Sequence, residues 1–89
     1  MTIAFYEALG PGRAPLAFND GGRDKTHHNN YGAYEIARMV ASRLAAADPV
    51  LAAHVLAEAR NYDPAKPSPP DRFRLPPSAA RSDIRPDGN

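Results

Sequence analysis

Seven of the ten prolines in this chain lie beyond Asn61, at Pro64, Pro67, Pro69, Pro70, Pro76, Pro77 and Pro86. Each fixes φ and removes a backbone N–H, so this stretch can be neither a helix nor a central strand. Roughly sixty residues are left to build a core, which is marginal for independent folding. The chain therefore divides into residues 1–60, which carry the helices, and residues 61–89, an extended Pro-rich tail. Tyr62, Phe73, Leu75 and Ile84 are the only sizeable apolar anchors of that tail. Either they pin it to a neighbouring surface or it runs free as a polyproline-like segment, the second being expected for a piece standing alone.

Within residues 1–60 the apolar spacing predicts helices. Ile3, Ala4, Phe5, Ala8 and Leu9 cluster at helical intervals, and Gly10-Pro11-Gly12 stops that helix. Pro15-Leu16-Ala17-Phe18 is too short for a helix and suits a strand end or an extended approach to a loop. Asn19-Asp20-Gly21-Gly22 then breaks the chain. From Asn30 to Ala47 the residues Ala33, Ile36, Ala37, Val40, Ala41 and Leu44 fall on one stripe, with Glu35, Arg38, Ser42 and Arg43 pointing elsewhere. Asn29 or Asn30 is the natural N-cap, and Gly32 in the first turn predicts a close approach to another backbone. Asp48-Pro49 restarts a second helix, whose stripe of Leu51, Ala52, Val55 and Leu56 runs to about Ala59.

Charge names no partner. Eleven basic against ten acidic residues give a net charge of +1, with no basic block or aromatic ladder to suggest nucleic acid. No apolar run is long enough to span a bilayer. Zero cysteines exclude a disulfide scaffold and a thiolate metal site, and leave the redox compartment open. Met1 to Glu7 has neither a basic n-region nor an apolar h-region, so no signal peptide is expected in this chain and its localisation is undetermined.

The chemistry-bearing segment is Asp24-Lys25-Thr26-His27. In acyl transfer an imidazole takes the nucleophile's proton and returns it, while a carboxylate on the other ring nitrogen fixes the tautomer. A three-residue spacing on a non-helical turn lets Asp24 curl back to Nδ1 of His27 while Nε2 projects outward. The bare D-x-x-H pattern is equally that of a polar loop in which Asp24 caps a turn, and that reading is the commoner. His28 competes for the base role and is expected to be a solvated rim residue. A metal reading would take Asp24, His27 and His28, with Asp20, as N/O ligands, but adjacent histidines give no regular ligand geometry. No cofactor or metal is expected. His54 is expected at the surface. Tyr31 and Tyr34 would stack on a sugar ring or close the local core. Ser42, Ser68, Ser78 and Ser82 sit on no strained turn that would expose and activate a nucleophile.

The string DKTHHNNYGAYEIA, with Asp24, Thr26, His27, Asn29, Gly32 and Ala33 in register before a helix, resembles the last conserved block of the SGNH (GDSL-like) hydrolases. Within that superfamily it resembles the rhamnogalacturonan acetylesterases, whose last block reads D-x-T-H-x-N-x-x-G-A. FYEALGP before the loop and FRLPPS and RPDGN after it extend the likeness over nearly the whole chain. The resemblance implies a parent with an α/β three-layer SGNH fold around a parallel sheet, of which this chain would be the mostly helical C-terminal part. It implies a Ser nucleophile on the first strand–helix turn, His27 as general base and Asp24 as orienting acid. The parent substrate would be O-acetyl esters of pectic polysaccharide, and the parent family is often exported. No residue here matches the nucleophile or oxyanion-hole blocks, so activity of this chain alone is not expected. Without the parent sheet, the apolar face of the helix from Asn30 to Ala47 is expected to be exposed or to self-associate. The competing reading is a non-catalytic helical interaction module or truncated-frame remnant that binds a partner through the apolar stripe from Ala33 to Leu44.

Overall fold

A computed structural model describes residues 2–76. The chain is small, about 60% helical and almost without strand. Helix α1 spans Thr2–Arg13 but breaks at Gly10 (φ 73°, ψ 170°), after which Pro11 opens one further turn. The Gly-Pro-Gly signal thus ends the regular helix where expected. Ala14–Ala17 forms a 3-10 helix rather than the anticipated extended run, and only Phe18 is extended. The difference is local: Pro15, in the first turn of that helix, sets a φ that suits a helical turn, and the Phe18 amide closes it by bonding to the Pro15 carbonyl. A second 3-10 turn, Asp20–Gly22, follows, with Asp20, Gly21 and Gly22 all at positive φ.

Helix α2, Asn30–Ala47, is the spine of the molecule. Asn29 is its N-cap, with Oδ1 accepting from the Gly32 amide at 3.0 Å; such a cap contributes about 1 kcal/mol. The Asp48 carboxylate caps the next turn by accepting from Val50 and Leu51. The expected second helix is there broken in two, α3 at Pro49–Ala52 and α4 at Ala57–Arg60. Leu56 adopts ψ 144° between them, which ends the helical path. With Leu51 and Leu56 both exposed, no packed face holds these short turns in one helix.

Phe5, Leu9, Ala17, Tyr31 and Met39 form the buried core, with Tyr6, Phe18, Ile36, Tyr62 and Phe73 packed around it. The face of α2 that is buried is not the aliphatic stripe. Tyr31, Gly32, Glu35 and Met39 are buried, whereas Ala33, Ala37, Val40 and Leu44 are exposed, the last two at 48% and 49%. At about 100° per residue these two sets lie on roughly opposite sides of the helix. Glu35, off the aliphatic stripe as expected, is wholly buried.

The tail is not free over its described length. Residues 61–76 lie against α2, with Phe73 edge-on to Tyr31 and tilted on Tyr34, centroids 5.3 Å apart in each case. Tyr62 and Phe73 therefore act as the anchors, while Leu75 is exposed. Ser78, Ser82 and Ile84 lie outside the described residues. No helix among the described residues is long and apolar enough to cross a membrane.

Candidate functional site

The segment between Phe18 and His28 is a closed loop. An isolated antiparallel bridge pairs these two residues, and the Asn19 amide donates to the His27 carbonyl at 2.9 Å while the Asn29 amide donates to the Ala17 carbonyl at 3.1 Å. The Asn29 side chain adds a second tie, donating from Nδ2 to the carbonyls of Leu16 (2.7 Å) and Phe18 (3.1 Å). One asparagine thus caps α2 and fastens both the 3-10 helix and the loop base to it. Gly32 completes the joint. A Cβ there would lie 2.2 Å from the Ala17 carbonyl oxygen, which is the close backbone approach anticipated for this glycine.

At the tip of this loop Asp24 and His27 meet. The Asp24 Oδ2 accepts from Nδ1 of His27 at 2.9 Å, and Oδ1 accepts from the amides of Thr26 (2.8 Å) and His27 (3.0 Å). Those two amides, then the ring, hold the Asp24 carboxyl down to about 2, because each stabilises the ionised form. Nδ1 so fixed leaves Nε2 as the proton-accepting position, and the His27 side chain is 73% exposed. One oxygen of Asp24 thus caps the turn and the other bonds to the His27 ring.

His28 is not a rim residue. Its ring stacks on Phe18 with centroids 4.6 Å apart and its Nε2 meets the Tyr6 hydroxyl at 2.5 Å. Alternation across the extended stretch turns His27 out and His28 in. The same inward turn removes His28 from any metal site with Asp24 and His27, while Asp20 is bound to Arg23 at 2.6 Å. No group of three His, Asp or Glu side chains converges among the described residues.

The two serines among the described residues are engaged elsewhere. Ser42 donates to the Arg60 carbonyl and Ser68 accepts from Arg38, and no hydroxyl among the described residues bonds to His27. His54 is exposed, as expected. Tyr31 is buried and donates to the Ser68 carbonyl at 2.6 Å; burial foremost, then the Glu35 charge, pushes its phenol up to about 12. It closes the core as the alternative to sugar stacking required. An open groove of about 780 Å³ runs beside the loop base, between Leu16, Asn30 and Tyr31 on one side and Pro70, Phe73 and Arg74 on the other. Asp24 and His27 do not line it.

The cluster that sequence reading missed is Glu35, Arg38 and Tyr62. Tyr62 donates to Glu35 Oε2, Arg38 lies 3.6 Å from Oε1, and its guanidinium sits 4.4 Å over the Tyr62 ring. Burial, then the bond to Glu35, raises the Tyr62 phenol well above its ordinary value. The only signal for it was the i, i+4, i+7 spacing of Tyr31, Glu35 and Arg38, three of the α2 residues that touch the tail. Comparison with protein-family models, with curated proteins and with solved structures finds no match to this chain.

Proposed function

We propose that this chain is the part of an SGNH-type carbohydrate esterase that carries the general base and its orienting acid. The observation supporting this reading is the Asp24 Oδ2 to His27 Nδ1 bond of 2.9 Å, on a loop that two backbone bonds and Asn29 tie to α2. A carboxylate fixed by two amides holds the imidazole in one tautomer with Nε2 outward, which is the geometry a general base needs. In the full reaction, Nε2 of His27 would take the proton of a serine hydroxyl as it attacks the acetyl carbonyl. The same proton then passes to the departing sugar oxygen, leaving an acetyl-enzyme that water hydrolyses by the reverse path. Acetylated rhamnogalacturonan is the substrate that the resemblance suggests.

The reading is tested by grafting residues 1–89 in place of the matching segment of an active rhamnogalacturonan acetylesterase and measuring acetate release. The chain alone should release no acetate above buffer. The graft should be active and lose several orders of magnitude in turnover on His27→Ala. A folded graft without activity, or one indifferent to His27→Ala, overturns the reading. A second reading, a non-catalytic helical module, is favoured by the exposed Val40 and Leu44 on α2.

A further inference from the structure

The strap formed by residues 61–76 is fastened in an unusual way. Among the described residues, four hydrogen bonds join it to the rest of the chain, and every one involves a side chain: Tyr62 to Glu35, Tyr31 to the Ser68 carbonyl, Arg38 to Ser68 Oγ and Arg13 to Asp71. Among the described residues its backbone–backbone bonds are all internal, Lys66 to Asp63 and Arg72 to Pro69. Three of the four ties come from Tyr31, Glu35 and Arg38, successive turns of one face of α2. The centre of that face is the wholly buried Glu35. Its Oε2 takes the Tyr62 hydroxyl, and its Oε1 faces Arg38 at 3.6 Å without a hydrogen bond.

We infer that residues 61–76 are a latched strap: Glu35, Arg38 and Tyr62 hold it shut, and it opens as one unit while α1 and α2 stay folded. Opening breaks no backbone ladder, because the prolines offer no N–H and the strap pairs with no strand. Segments held by few contacts open at lower free energy than the whole molecule. The closed strap supplies Pro70, Phe73 and Arg74 as one wall of the groove, so the latch sets whether that groove exists. This inference stands whether or not the chain serves an esterase.

Limited trypsin cleavage of the intact chain across a urea series tests it. The bonds after Arg72 and Arg74 report on the strap, and those after Arg38 and Arg43 report on α2. Because the urea slope follows the surface exposed on opening, strap cleavage in the wild-type chain should rise more shallowly with urea than α2 cleavage. Tyr62→Phe should speed strap cleavage about tenfold, the factor that loss of one buried hydrogen bond represents. Phe5→Leu, in the core, should speed α2 cleavage while leaving the strap bonds within about twofold, since only global opening feels it. Equal urea slopes in the wild type would overturn the inference whatever the variants do. So would a Tyr62→Phe strap rate equal to wild type, or a Phe5→Leu chain in which both sets of bonds accelerate together.

Discussion

Gly32 in the first turn of α2 packs against the carbonyl of Ala17, so closely that a Cβ would stand 2.2 Å from that oxygen and 2.9 Å from Cδ2 of His28. This contact is where the loop that carries Asp24 and His27 is pressed onto the helix. Alanine would raise helix propensity by about 1 kcal/mol. The clash opposes that gain, and it is with backbone that two hydrogen bonds hold in place, so overpacking of about 1–3 kcal/mol is the larger effect. Gly32→Ala should therefore lower stability in urea unfolding. An increase would mean that the loop lifts off α2 without cost.

The Asp24 carboxyl should govern the loop in acid. Its folded value of about 2 lies below the unfolded value of about 3.9, so the proton binds the unfolded chain more tightly. The stabilisation is complete above about pH 4 and is lost as pH falls from there through 2. The amide resonances of Thr26 and His27 should titrate in NMR with a midpoint near 2. A midpoint near the ordinary carboxylate value would show that those amides do not bond to Asp24.

Adjacent histidines should part company when each is truncated. His27 is exposed at the loop tip, so His27→Ala should change unfolding free energy by less than about 0.5 kcal/mol. His28 stacks on Phe18 and bonds the Tyr6 hydroxyl, so His28→Ala should cost about 1–3 kcal/mol by leaving that hydroxyl without its partner. In an active graft the order reverses: His27→Ala abolishes turnover, while His28→Ala acts through stability. Equal effects of the two on urea unfolding would contradict the inward placement of His28.

How much of this was legible in the sequence follows from the range of the signals. The α2 boundaries, the Asn29 cap, the Gly32 contact and the Asp24–His27 pair are written in neighbouring residues, and local spacing suffices to find them. What covers a helix is not local. The aliphatic stripe of α2 is recognisable from spacing alone, and its exposure here is what a helix without its parent sheet would show; what spacing does not reveal is which other face the chain covers. The described chain buries Tyr31, Glu35 and Met39, because the tail brings Tyr62 to neutralise the cost of the carboxylate. That pairing spans 27 residues, beyond the reach of any periodicity. The fate of the tail was hidden for the same reason: proline content excludes helix and strand but says nothing of three side chains on α2 placed to hold it.

The exposed stripe gives the last test, because it separates a piece of a larger fold from a module complete in itself. Ala33, Ala37, Val40 and Leu44 lie on the side of α2 away from Tyr31 and Met39. In the isolated chain the double variant Val40→Glu, Leu44→Lys should shift unfolding free energy by less than about 0.5 kcal/mol, since it replaces half-exposed side chains and adds a favourable i, i+4 pair. It should also weaken any concentration-dependent association seen by sedimentation, because an uncovered apolar stripe is what drives such contacts. In the active graft the same stripe would lie against the parent sheet, where burying two charges costs several kcal/mol. There the double variant should fail to fold or release no acetate. A graft that tolerates both charges would show that no sheet covers this face, and would favour the non-catalytic helical module over the esterase part.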